Sequence, residues 1–580
     1  MQFVFLENLG ITTHLRALEK RSNPYNVLLY QHEGHLKADN SFIGNRDNVD
    51  SRLHAIFEKA IQTNTDFFLA PEYCCSWRVI VANLSDKNKW PAREKLWAIG
   101  CESITPEEIL AFQQETESDE IHIHFEQEIF NQGKSYVDPL VYLFRGVHDG
   151  RQKLIVLIQF KTAHMGPRAV PVERDNLIEG NSVYILRNGQ TSVHFISLIC
   201  SEAMNFPHTL DANTRTNILW EDATYLIFNP QMNPEPTHSE FCHFRKIVLE
   251  SQRKEIITLN WHKDSTISKN NPLLAHKSSR SSIVLKSIDF EGIYRRIKSN
   301  HKKGVYYFFQ KIDKHLYILN GQPHCFHFQI TPVHITENLG VQHLRDGPNN
   351  FQTFFFNTAN QLIEDDERIS DYHLDYLEQT GCTSLFLTNK DTCILQKEII
   401  VALSTGTAKK SHSGNWYEAD NLTPFLAPIE SDANNRLTFT EDRDRPNELV
   451  RENYIATLQE LDNILSDASL FPPSIAYLQG KKLRIGYGEN ASGDNYMFNV
   501  VDESGTRVPI TVCYVGQASE KIINQAFLLT QDLFDKTNKC REQVVVFYKR
   551  GNDIIPKYDQ YAGKIGEVQT YDATSVLKSH

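Results

Sequence analysis

The sequence predicts an α/β fold for its N-terminal half, followed by a second, α+β region. Three observations carry this. Short apolar runs alternate with helix-period patterns from Asn26 to about residue 290. The dipeptides Asp149-Gly150, Asn188-Gly189 and Asn320-Gly321 each stand between apolar runs, the strongest short-range mark of a hairpin. From about residue 336 the chain turns polar and charged, as in ENLGVQHLRDGPNN and IEDDERISD. At 580 residues it is also too long for one core. The expected parts are an extension at 1–24, a first domain at 25–335 and a second region at 336–580.

The elements follow in order. NVLLYQ is a strand, and NVDSRLHAIFEKAIQT is a helix with Leu53, Ile56, Phe57, Ala60 and Ile61 at helical spacing. FFLAP is a strand that runs into Glu72, and LWAIGCESI at 96–104 is another. ITPEEILAFQQE starts a helix: Thr105 is the N-cap, Pro106 takes the first helical position, and Glu108 completes a capping box. The acidic stretch at 115–120 reads as a solvated loop. PLVYLFRGVHDGRQKLIVLIQFK is a hairpin whose return strand ends on Lys161. NSVYILRNGQTSVHFISLIC is a second hairpin, ending on Cys200. TYLIFNP, IITLNW and SSIVLKS are strands, with the helix SEFCHFRKIVLESQRKE among them, and YRRIKS, GVYYFFQ and KHLYILNGQPHCFHFQI crowd strands together. Beyond 336, LVRENYIATLQELDNILSD is an amphipathic helix with Tyr454, Leu458, Leu461 and Leu465 on its core face. A hairpin turning at Ser504-Gly505, the helix KIINQAFLLTQDLF and the strand EQVVVFYKRGNDIIP complete the region. No internal repeat has a fixed period.

Composition narrows the class. Aromatic content of 11% and hydrophobic content of 41% suit a globular protein. The formal charge of -12 argues against a nucleic-acid wrapper. The N-terminus lacks a basic leader, and the longest apolar runs are far shorter than a membrane span. Ten scattered cysteines without a CxxC pair fit reduced thiols in a cytoplasmic protein.

Three of the apolar runs end in reactive side chains. DFFLAPEY delivers Glu72, LIVLIQFK delivers Lys161 and VHFISLIC delivers Cys200. A thiol is a strong nucleophile only as thiolate, so it needs a base and a cation nearby. Glu72 can take the thiol proton and give it to a leaving amine. Lys161 can lower the thiol pKa and stabilise an oxyanion, with the N–H after Cys200 as a second donor. The product is a thioester that water hydrolyses.

The set resembles the carbon–nitrogen hydrolase (nitrilase/amidase) superfamily from about Asn26 to residue 290. LAPEY at 69–73 matches its strand ending in Pro-Glu, and Phe160-Lys161 with His164 is a looser match to its lysine motif. Glu173 ahead of Gly180 matches a second Glu followed by Gly. ICSEAMNFP supplies Cys200, Glu202, Phe206 and Pro207, and Arg245, Glu250 and Asn260 have later counterparts. Phe-Pro comes one residue late, the Arg before it is absent, and the segment between Glu72 and Lys161 is expanded.

The resemblance implies a nitrilase-type α-β-β-α sandwich at 25–335. Glu72, Lys161 and Cys200 would be catalytic. Glu173 would either bridge Lys161 or position water or substrate. It implies hydrolysis of a non-peptide amide-type C–N bond in a small-molecule amide or nitrile, a homodimer or higher homo-oligomer, and no cofactor or metal. Large nitrilase-like domains also occur in bacterial antiphage systems, some beside reverse transcriptases. The alternative is therefore a defence effector or scaffold with a separate protein partner, the C-terminal region sensing or binding.

Other signals weigh less. His122 and His124 share a strand face in IHIHF but lack a third metal ligand, and His324 and His327 share no face. STGTAKKS at 404–411 lacks the Gly-Lys-Ser/Thr ending of a phosphate loop. GYGENASGDN is glycine-rich without dinucleotide spacing and reads as a turn.

Overall fold

The computed structural model describes residues 1–20, 23–165, 171–232, 238–251, 253–269, 273–275, 281–286, 305–310, 314–337, 340–364, 381, 394–408, 445–487, 497–534 and 539–560. YRRIKS, most of IEDDERISD and of GYGENASGDN, and the end of STGTAKKS lie outside them. The chain divides into two compact units, Met1–Glu367 with Leu422–Glu430, and Arg368–Asn421 with Ser431–His580. No helix among the described residues is long and apolar enough to cross a membrane.

In the first unit, parallel strands Tyr25–Tyr30, Phe67–Cys75 and Leu96–Cys101 form the middle of a large mixed sheet. The antiparallel pair Pro139–His148 and Arg151–Phe160 extends one side. Cys325–Glu337 and Gly340–Phe356 extend the other. Side chains alternate across such a strand, so successive residues face opposite layers. Phe68, Ala70 and Trp97 share a core with Leu53, Ile56 and Phe57 of the helix Asp50–Gln62 and with Ile109 and Phe112 of Pro106–Thr116. The expected capping box at Thr105 and Glu108 is present in the latter.

The opposite face meets a second sheet, in which His194–Ser197, Tyr225–Pro230 and Lys254–Leu259 run parallel. Phe195 packs 5.3 Å from Phe67 and 6.5 Å from Tyr142, ring centre to ring centre. Gln159 donates to the Ser197 carbonyl at 3.0 Å. Beyond the second sheet lie the helices Glu202–Thr209 and Ser239–Glu250, joined through Phe206 and Phe244 at 5.9 Å.

Several expectations are corrected. Residues 1–24 are no loose extension: Gln2–Phe5 pairs with Ser182–Ile185, and Ile11–Thr13 adds to the large sheet. The boundary expected at 335 falls inside the pair Cys325–Glu337 and Gly340–Phe356. The polar stretch around Asp346-Gly347-Pro348-Asn349 forms an irregularity within a long strand, where the pairing register shifts. At the Asp149-Gly150 hairpin both residues have positive φ, 51° and 72°, as a two-residue primed turn requires. The other two Asn-Gly pairs do not close ladders. Ser182–Ile185 and His194–Ser197 belong to different sheets and are joined by the single bridge Leu186–Phe195. The Asn188 side chain is spent on the chain ends it ties: Oδ1 accepts from the Leu15 N–H at 2.7 Å and Nδ2 donates to the Leu15 carbonyl at 2.8 Å. Asn320-Gly321 carries the chain from one sheet to the other.

His122 and His124 share the half-buried face of Ile121–His124, and the His122 ring stacks on His148 at 3.7 Å. No group of three or more His, Cys, Asp or Glu suited to a metal occurs among the described residues.

The second unit has its own core. Leu458, Leu461 and Leu465 of the helix Arg445–Ser466 are buried with Val500, Val512 and Val545. Val500–Asp502 and Arg507–Val508 form the hairpin at Ser504-Gly505, with Gly505 at φ 80°.

Candidate active site

Each residue the sequence singled out reaches the site by a different backbone device. Glu72 rides on an irregularity. Pairing of Phe67–Cys75 with its neighbour is regular to Ala70 and resumes only at Cys75. The bulged backbone leans on Gly100, where an added Cβ would stand 2.1 Å from the Pro71 carbonyl oxygen and 2.6 Å from the Glu72 Cα. Only glycine leaves that space. Tyr73 completes the bend at φ 57°, an uncommon conformation for an aromatic residue.

Lys161 stands one residue past its strand. Its N–H donates to the Asp138 carbonyl and its carbonyl accepts from Gly180 N–H, both at 2.9 Å. Cys200 sits just before the helix Glu202–Thr209 at φ 41°, its N–H donating to the Pro230 carbonyl at 2.9 Å. A non-glycine residue at positive φ costs about 1–2 kcal/mol and persists only where its surroundings enforce it.

These side chains converge. Lys161 Nζ donates to Glu72 Oε1 at 2.7 Å and to Glu173 Oε1 and Oε2 at 3.0 and 3.1 Å. The second Glu72 oxygen accepts the Met232 N–H at 2.9 Å, and the Glu72 carbonyl accepts the Trp261 indole N–H at 2.7 Å. Glu173 also accepts from the Tyr73 hydroxyl at 3.0 Å and the Met165 N–H at 2.9 Å. Glu72, Lys161 and Cys200 are each only 1% exposed. Glu72, Lys161 and Glu173 act on the buried Cys200 thiol electrostatically. Glu173, with its side chain 11% exposed, is the one the solvent reaches most.

Burial alone would depress the Lys161 ammonium, but the Glu173 and Glu72 charges oppose it, and it is held well above the usual lysine range. Burial likewise opposes ionisation of Glu173, and the Lys161 charge with the Met165 and Tyr73 donors overcomes it, leaving its pKa lowered. Cys200 goes the other way from expectation. Burial and then the Glu72 charge push its thiol well up, and Lys161 and the Met232 N–H only partly oppose them. This direction favours the thiol over the thiolate. Cys200 is in no disulfide, nor are Cys74, Cys75, Cys101, Cys325 and Cys513.

No protein-family model and no curated protein matches the sequence. The N-terminal part of the chain is similar to solved amidases of the nitrilase superfamily. An amidase from Nesterenkonia sp. is 12% identical, with 45% of this chain and 83% of that one covered and a TM-score of 0.25. A CN-hydrolase superfamily protein from Xanthomonas campestris, with an arsenic adduct in its active site, is 12% identical over 45% and 82%, with a TM-score of 0.25.

The sequence singled out Glu72, Lys161 and Glu173, which share hydrogen bonds, but not the residues that hold them. Tyr73, Met232 and Trp261 act through a hydroxyl, a backbone N–H and an indole N–H, which carry no motif. Asp138 lies next to Lys161, its Oδ2 3.5 Å from Nζ. Glu202, noted only as part of the cysteine motif, fastens two loops together. It accepts the Thr162 N–H and the Ile199 N–H, each at 2.6 Å, and so ties the turn after Lys161 to the turn before Cys200.

Burial raises the Glu202 carboxyl to about 7, the Ile199 and Thr162 N–H groups resisting. A raised carboxyl pKa gives stability that is full below the unfolded value and lost as pH rises through the folded one. The first unit is therefore expected to lose up to about 3 kcal/mol between pH 5 and pH 8 from this group. Urea unfolding across that range should show a flatter pH dependence for Glu202→Gln; an unchanged slope would contradict the assignment.

Proposed function

We propose that the first unit is a thiol-dependent carbon–nitrogen hydrolase of the nitrilase/amidase type, acting on a non-peptide amide or nitrile of small-molecule size. We further propose that the two facing sheets of this unit and the helices outside them form the corresponding α-β-β-α sandwich. The observation that carries this reading is one lysine bound at 2.7 Å to Glu72 and at 3.0 Å to Glu173, within electrostatic reach of a thiol on a strained turn. The helices on the outer sides of two facing sheets support the architecture.

Glu72 takes the Cys200 proton as sulfur attacks the carbonyl carbon, and the C=O pair moves onto oxygen. Lys161 and the Ser201 N–H stabilise that oxyanion. Its collapse breaks the C–N bond, and Glu72 hands the proton to the departing nitrogen. Water, deprotonated by Glu72, then attacks the thioester, and the thiol regains its proton. Glu173 holds Lys161 in place throughout, and its own charge is balanced by the ammonium it orients.

The test is ammonia release from a panel of primary amides and nitriles. Glu72→Gln should lower kcat by at least about 10²-fold while the protein stays folded. No release from any member of the panel, or an unchanged rate in Glu72→Gln, would defeat the proposal.

A further inference from the structure

The site holds more acid than the proposed chemistry uses. Asp138 immediately precedes the strand Pro139–His148 and is 1% exposed. Neither of its carboxyl oxygens meets a hydrogen-bond donor. Lys161 Nζ stands 3.5 Å away, beyond its three closer contacts with Glu72 and Glu173. A buried carboxylate without donors is costly, and such a group usually takes up a proton instead.

We infer that Asp138 is a positioning residue, kept as a neutral carboxylic acid whose O–H holds the Glu72 carboxylate. The two carboxyl groups crowd the same ammonium, Lys161 Nζ lying 2.7 Å from Glu72 Oε1 and 3.5 Å from Asp138 Oδ2. Two carboxyl groups bond to each other only when one carries a proton, because ionised carboxylates have no donor. The surrounding donors decide which one. Glu72 receives Lys161 Nζ on one oxygen and the Met232 N–H on the other, so it is the favoured anion. Asp138 receives none, so the proton rests there.

The groups facing Asp138 agree with this. From the strand Phe67–Cys75 come Glu72 and Tyr73; Lys161, Glu173 and Tyr136 complete the set. Burial and the Glu72 charge push the Asp138 carboxyl well up, with Lys161 only partly opposing. Burial raises both tyrosines as well, so their phenols stay neutral. The remaining charges are two carboxylates and one ammonium. A third buried anion beside Glu72 would make the thiol proton harder to remove. The neutral acid instead gives Glu72 a third donor that fixes its orientation.

What this arrangement achieves rests on the proposed function; the proton on Asp138 does not. Infrared difference spectra of the full chain at neutral pH, wild type minus Asp138→Asn, test the proton directly. The expected result is loss of a protonated-carboxyl C=O stretch that shifts in D2O. Loss of an ionised-carboxylate band alone would overturn the inference, whether or not the protein hydrolyses amides. Alkylation of Cys200 by iodoacetamide, read by peptide mass across a pH series, tests the positioning. Asn still presents an N–H to Glu72, so Asp138→Asn should react within about 3-fold of wild type. Asp138→Ala should be slower by on the order of tenfold. Equal losses in two folded variants would mean that an ionised Asp138 is needed, and would overturn the positioning role.

Discussion

Replacing Lys161 by methionine is expected to destabilise the first unit by about 3–5 kcal/mol at neutral pH and to abolish activity. Methionine keeps most of the volume, so the loss is electrostatic. Without the ammonium, Glu72 and Glu173 become buried anions facing each other, with Glu173 losing both of its bonds to Nζ. The pH dependence follows. In the variant the freed carboxyls have folded pKa values raised above their unfolded ones. The stability they contribute is present at low pH and lost as pH rises through the folded values. Urea unfolding should therefore show a much smaller gap between variant and wild type at pH 5 than at pH 8. In the wild type Glu173 behaves oppositely: its pKa is lowered, so its contribution is present at neutral pH and lost on acidification. A variant as stable as wild type at both pH values would show that the cluster does not depend on Lys161.

The second large effect is at Cys200. Cys200→Ala should lose at least about 10³-fold in turnover, because no other group in the cluster can form the acyl bond. Alanine tolerates the φ of 41° no better and no worse than cysteine, so the turn and its N–H bond to Pro230 should survive. Loss of activity with an unchanged unfolding midpoint separates a chemical role from a structural one.

The chemistry-bearing residues were legible because side-chain type and strand position carry the information. Glu72 and Glu173 both meet Lys161 Nζ, at 2.7 and 3.0 Å. What was not legible depends on long-range pairing. Asn188-Gly189 and Asp149-Gly150 look alike in sequence, yet only the second closes a full ladder. The difference lies in Leu15, 173 residues away, which captures the Asn188 side chain. The boundary near 335 rested on the change to polar, charged sequence, but a polar stretch can also be strand when a partner such as Cys325–Glu337 lies alongside. Asp138 was invisible because an aspartate before proline ordinarily reads as turn chemistry. Only its burial without a donor shows otherwise.

The central claim is that carbon–nitrogen cleavage passes through an acyl group on Cys200. The most direct measurement is an acid quench of the wild-type protein during turnover of a primary amide, followed by peptide mass analysis. The expected result is the substrate's acyl mass on the peptide carrying Cys200, removed by hydroxylamine and absent from Cys200→Ala. Turnover that persists in Cys200→Ala, or an acyl group found on a different residue, would contradict the account.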